Sequence, residues 1–332
     1  MGQALSEPVT TKTSSEGSTD KSLVYSVSSM QGWRVNMEDR HALIPSYEDT
    51  GDNFFAVFDG HGVGDSVAEY CSEHLHHRVF HSQAYKDGHV QDALRWANLQ
   101  VDKELRIDVS QSQETAGCTA LAALITKDNH LYISNAGDSR AVLSTKNGKA
   151  MALSKDHKPN DPIETERIKL AGGHVEGNRV NGTLALSRAI GDFGFKTQTD
   201  IPPEKQAVTA YPDIQEYKLT PDDEFLVLAC DGIWDCRSDQ QVVDIIRYGL
   251  TLKKTLVQIS EELMDTCLAE HNTASVGCDN MTLIIVAFLH NNKDVDEWYD
   301  TMASNQISKP SSLCKQQQQK PSKLPPSFII KE

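Results

Sequence analysis

Two uninterrupted apolar runs, NFFAVF at 53–58 and EFLVLAC at 224–230, each stop abruptly at an Asp-Gly step, Asp59-Gly60 and Asp231-Gly232. Runs this short and this apolar read as buried strands, so a rigid element carries each aspartate to the rim of a core. A single Asp-Gly is an ordinary turn opening. Carboxylates collected at the ends of core strands are more informative, because such groupings hold hard cations.

Further strand signals fall at 23–30, 118–126, 131–135, 141–145, 149–153, 214–219 and 281–289, with Asn147-Gly148 as a tight hairpin. Helix signals are equally plain. Val67, Cys71, Leu75 and Val79 make one apolar stripe, and Val90, Leu94, Ala97, Val101 and Leu105 make a second. Asp161, Pro162 and Glu164 open a third helix that stops at Gly172-Gly173. Ser238 and Gln241 open a fourth, and Leu256, Ile259, Leu263 and Cys267 mark a long partner after it. Hairpins dominate over strand-helix-strand alternation. The predicted class is therefore α+β, a sandwich of antiparallel sheets covered by helices.

One domain is expected over 22–290. Residues 1–21 are polar and rich in Ser, Thr and Glu, which predicts a mobile arm. Residues 291–332 lose periodicity, pass through four glutamines at 316–319 and reach Pro325-Pro326, which predicts a disordered tail. From Lys309 onward that tail carries five lysines against one glutamate, so it is locally basic.

The formal net charge of −15 argues against general affinity for nucleic acid and suits a protein that gathers cations. No apolar stretch has the length of a membrane span and no secretory signal is visible, so a cytoplasmic protein is expected, with nuclear or reversibly membrane-associated pools. Seven cysteines sit singly, which fits reduced thiols. Met1-Gly2-Gln3-Ala4-Leu5-Ser6 fits the N-myristoylation pattern at Gly2, and one acyl chain gives only weak, reversible membrane association.

Four acidic positions gather at the predicted strand ends: Glu38-Asp39, Asp59, Asp231, and Asp279 in the CDN before the last strand. Taken singly, each has an ordinary surface or turn reading. In Asp59-Gly60-His61-Gly62, glycine lets the backbone approach a ligand, so the Gly60 carbonyl can stand beside the Asp59 carboxylate. If the chain stays extended, His61 points to the same side as Asp59 and sets an imidazole beside cation-bound water.

QGWRVNMEDRH, FFAVFDGHG, NAGDSRAVL, DHKP, RVNGTLALSRAIGD, LACDGIWD and CDNMTLIIV occur in this order over about 28–286. The chain thereby resembles the metal-dependent protein Ser/Thr phosphatases of the PPM, or type 2C, family. The resemblance implies a central antiparallel β-sandwich flanked by helices on both sides, with a two-metal site at one end. It implies that Asp59 bridges two Mg2+ or Mn2+ ions, with Asp231 and Asp279 on one and the Gly60 carbonyl on the other. Glu38 and Asp39 match positions that contact metal-bound water, and Arg34 matches the phosphate-binding arginine. Asp138, with Asp231 and Asp235, matches positions linked to a third, weaker metal. Within 157–196 the resemblance implies a flap whose Arg179 and Asn181 contact the substrate protein.

The implied reaction is hydrolysis of phosphoserine and phosphothreonine in proteins by a hydroxide shared between two cations, without a phosphoenzyme. In it Arg34 orients the phosphoryl group and His61 protonates the departing oxygen. A monomer acting on phosphoproteins is expected. Two other classes compete. A two-metal phosphodiesterase or nuclease should show a basic track, which this chain lacks. A catalytically dead binding module should have lost some of these ligands.

Overall fold

The computed structural model describes residues 4–19, 22–48, 50–62, 64–108, 115–290, 294–304 and 307–310. Side-chain alternation decides where each apolar strand lies. In β4 (Asn53–Phe58), Phe55 and Val57 enter the layer between two sheets, while Phe54, Ala56 and Phe58 face the opposite way, under helices. β15 (Phe225–Ala229) and β16 (Met281–Phe288) do the same from the other sheet. Leu226, Leu228, Ile284 and Val286 join the shared layer, and Val227, Leu283 and Ile285 pack beneath helices. Strands covered on both faces need no polar side, which explains their unbroken apolar sequences.

The first sheet has six strands in the order β1 (Ala4–Ser18), β2 (Leu23–Arg34), β16, β15, β9 (Arg140–Thr145) and β10 (Lys149–Ala152). The second has five: β14 (Asp213–Lys218), β8 (His130–Ala136), β7 (Ala120–Ile125), β4 and β3 (Arg40–Ile44). Their pairings are antiparallel. α1 (Ser66–His81) and α3 (Val90–Asp108), with the single turn α2 (Gln83–Lys86) between them, cover the second sheet. α6 (Asp239–Thr251), α7 (Leu256–Cys267) and α8 (Val295–Ala303) cover the first. The predicted α+β sandwich with helices on both sides is the observed architecture.

Smaller pieces sit where the long strands end. β5 (Gly60–His61), β6 (Gly117–Cys118) and β13 (Ile190–Gly191) form a three-stranded patch that continues beyond β4 and β7. α4 (Pro162–Leu170) and the hairpin of β11 (Val175–Glu176) and β12 (Arg179–Val180) share a separate small core with Ile168, Val180, Ala189 and Val208. The one-turn helix α5 (Asp231–Trp234) follows β15 directly. The predicted caps are present: the Asp161 side chain accepts from Ile163 N–H, and Ser238 and Gln241 form a reciprocal capping box.

Two expectations need correction. Residues 4–18 are an edge strand and not a mobile arm: β1 pairs with β2, Ser14 Oγ donates to Glu261 Oε1 at 2.7 Å, and Lys12 pairs with Asp265 of α7. The ladder is built from main-chain groups, so a polar sequence can supply it without an apolar stripe. The tail is also ordered in part, since α8 buries Trp298 and Met302 against the first sheet's helices. No helix among the described residues is long and apolar enough to cross a membrane.

Candidate active site

The acids lie just beyond the ends of strands of different sheets, and close backbone approaches bring them together. Asp59 N–H donates to Thr119 Oγ1 at 3.0 Å and Thr119 N–H to the Asp59 carbonyl at 2.9 Å, which fixes the β4 corner against the strand pair β6 and β7. A Cβ on Gly232 would run into the Asn280 carbonyl oxygen, so only glycine lets the corner after β15 touch the corner before β16. Asp231 and Asp279 are thereby neighbours. Asn280 then ties in the third segment: its Nδ2 donates to the carbonyls of Gln31 (2.8 Å) and Asn36 (3.0 Å), and its Oδ1 accepts from Glu38 N–H (2.9 Å). Gly60 packs so close to the Glu38 carbonyl that a side chain there would collide with it.

The result is a pocket of mutually repelling carboxylates. Asp59 is held well above the usual carboxylate range by burial first, then by Asp231, Asp39 and Asp279. Asp231 is raised by burial, then by Asp138, Asp279 and Asp235. Asp39, 4% exposed, is pushed up to about 7 chiefly by burial, and its Oδ2 is enclosed without a hydrogen-bond partner. Burial raises Glu38 as well. The guanidinium of Arg34 donates to Asp279 Oδ2 at 2.5 Å and stays charged because Asp279, Asp59 and Asp231 outweigh its own burial.

These groups suit a hard divalent cation. Asp39, Asp59 and Cys230 present ligand atoms within 4.8 Å of one another. Burial and the surrounding carboxylates drive the Cys230 thiol well up, which removes the thiolate that a soft metal would select. Oxygen donors remain, with one buried lone carboxylate oxygen on Asp39.

His61 has a partner that sequence reading did not assign. Its Nε2 lies 2.7 Å from Asp192 Oδ2, and Asp192 is 1% exposed. Burial lowers the imidazole's proton affinity, but Asp192 more than compensates, so the net shift is upward. Gly117 makes the dyad possible, because a side chain at that position would occupy the space of both partners. Asp192 holds a left-handed conformation (φ 52°) and its N–H donates to the Ala116 carbonyl at 2.8 Å, so the carboxylate is aimed by backbone geometry. Asp192 is the last residue of the motif RVNGTLALSRAIGD and Asn280 the last of CDN. Both sat inside recognised motifs, yet neither sits beside an obvious partner in sequence.

Asp138 is buried and ion-paired with Lys158, and Asp235 lies on the turn after Asp231, exposed. The flap residues are elsewhere. Arg179 donates to the Thr183 carbonyl at 2.6 Å and Asn181 Oδ1 accepts from His174 N–H at 3.0 Å, bonds that close their own hairpin and do not involve the acids. Gly2 lies outside the described residues. A cavity of about 590 Å³ lined by Ile163, Leu170, Ile201 and Tyr211 contains none of the acidic cluster, so charge and geometry, not hollow size, locate the chemistry.

The protein phosphatase 2C family model matches residues 23–276. Protein phosphatase 2C homolog 2 of Hypocrea jecorina is 50% identical over 313 residues, covering 91% of this chain and 70% of its own length. The Schizosaccharomyces pombe protein of the same name is 49% identical over 306 residues, covering 90% and 82%. A crystal structure of a phosphatase from Toxoplasma gondii superposes with a TM-score of 0.74 at 27% identity, covering 86% of this chain and 97% of that one. The chain belongs to the protein phosphatase 2C family of metal-dependent protein serine/threonine phosphatases.

Proposed function

We propose that this chain hydrolyses phosphoserine and phosphothreonine in proteins with two divalent cations, Mg2+ or Mn2+, held by Asp59, the Gly60 carbonyl, Asp231 and Asp279. The convergence of Asp39, Asp59, Asp231 and Asp279 through the Gly232–Asn280 contact is the observation that carries this reading. Glu38 and Asp39 would hold waters around such a pair. When bound, the cations lower the cost of ionising a water and offset the charge of the phosphoryl oxygens.

The chain's own groups do the rest. Arg34 keeps one edge on Asp279 and offers its remaining N–H donors to the phosphoryl oxygens. Asp192 occupies Nε2 of His61, which leaves Nδ1 as the atom that passes a proton to the departing Ser or Thr oxygen. No side chain is needed as a nucleophile, so no phosphoenzyme forms. Arg179 and Asn181 on the flap meet the substrate protein, and Asp138 with Asp235 provides a third, weaker cation position. The enzyme acts as a monomer in the cytoplasm, and acylation at Gly2 would add weak, reversible membrane association.

Phosphopeptide hydrolysis with and without Mn2+, in wild type and Asp59→Ala, tests the reading. Loss of turnover on removing either ion or aspartate is expected; hydrolysis indifferent to both would overturn it.

A further inference from the structure

The segment Asp156-His157-Lys158-Pro159 leads from the sandwich to the flap helix α4, and it grips the Asp138 loop at several points. His157 N–H donates to the Gly137 carbonyl at 3.0 Å, and Gly137 N–H donates to His157 Nδ1 at 3.2 Å. The same imidazole reaches Asp213 through Nε2 at 3.2 Å, and the His157 carbonyl accepts from Ser187 N–H and Ser187 Oγ, both at 3.0 Å. Pro159 restricts the backbone of Lys158 to extended conformations. Lys158 therefore leaves a fixed anchor. Its Nζ lies 2.5 Å from Asp138 Oδ2, and its charge also reaches Asp231 and Asp235.

The two partners differ in freedom. Asp138's side chain is 5% exposed and has nowhere to go, whereas that of Lys158 is 40% exposed and can swing into solvent. Among the largest influences on Asp231, Lys158 is the attractive one and the others are burial and carboxylates. A single ammonium is thus seated where three acids, Asp138, Asp231 and Asp235, face one another.

We propose that the Lys158 ammonium is an internal cation that competes with a third divalent ion for Asp138, so that the Lys158–Asp138 ion pair and metal binding there exclude each other. This rests on the two-metal reading of the neighbouring site. It makes the third position weak by construction, since an incoming ion must first displace the lysine. Neutralising the lysine opens the position. Because Lys158 lies four residues before the start of α4, occupancy at Asp138 is also coupled to the root of the flap.

Mn2+ titration of the full chain, by calorimetry and by the electron spin resonance of free Mn2+, separates tight from weak binding without using turnover. Lys158→Gln is expected to strengthen the weak class roughly tenfold, the scale of removing one nearby charge in a partly solvated site. Lys158→Arg, which keeps the charge, should leave it within about threefold of wild type. Lys158→Met retains the aliphatic stem and repeats the test should the glutamine variant fold poorly. Asp138→Asn should abolish the weak class in every background. The proposal fails if neutral variants bind the weak ion no better than wild type, or if their gain survives Asp138→Asn. Asp59→Ala reports separately: a tight class that persists in it overturns the two-metal reading and leaves the Lys158 comparison standing.

Discussion

At the scale of single residues, the site is defined as much by what is missing as by what is present. Gly117 has no side chain because the His61–Asp192 pair fills that space, and Gly232 has none because the Asn280 carbonyl does. The dyad gives a discriminating prediction. Asp192→Asn keeps the size but removes the charge that raises His61, so proton delivery suffers and metal binding does not. Phosphopeptides, whose alkoxide leaving groups need a proton, should lose about 10²-fold in kcat. An aryl phosphate with an acidic leaving group should lose less than about threefold. Equal losses on both substrates would show that Asp192 serves only to hold the fold.

At the scale of elements, the flap is pinned by a buried ion cluster and not by a large core. Glu164 of α4 contacts Arg188 Nη2 at 2.7 Å and Arg167 Nη1 at 2.5 Å, and Arg188 also reaches Asp213 Oδ1 at 2.7 Å. Burial lowers Arg167 more than Glu164 restores it, whereas Arg188, held by both Glu164 and Asp213, gains on balance. Despite the opposing effect of burial, hydrogen bonds and charge from these arginines bring Glu164 down to about 2. The unfolded carboxyl binds its proton near pH 4.5, so between that pH and about 2 the unfolded state takes up more protons than the folded one. Stability from this group is complete above the upper value and is lost as pH falls, at most ~3 kcal/mol. Glu164→Gln should open the flap to protease at neutral pH and flatten the acid limb of its protection. An unchanged acid limb would remove Glu164 as the cause.

At the scale of the whole molecule, the fold holds like charges together at one end of its sandwich, and cations bound there would relieve that repulsion. Saturating Mn2+ should raise Tm by roughly 4–8 °C, the linkage expected near 100 times Kd for a chain of this size. Asp59→Asn removes one of the repelling carboxylates, so the metal-free variant should melt at or slightly above wild type while losing most of the Mn2+ response. A metal-free variant that melts several degrees lower would mean that Asp59 supports the fold through its own hydrogen bonds.

The sandwich and its helices were legible because apolar periodicity is local: β4 was bounded at Asn53 and Phe58 from sequence, and the α4 and α6 caps were readable from a few neighbouring residues. The acids were legible as motif members, and the roles proposed for them came from the order of the motifs. Strand β1 was not, since its pairing uses main-chain groups that any polar sequence carries. Nor were the partners of the site. Asp192 lies 131 positions from His61 and Asn280 lies 242 from Glu38, and no local pattern records a contact that exists only once the two sheets have closed on each other. Chain composition and periodicity set the layers, and packing of those layers selected which charges meet.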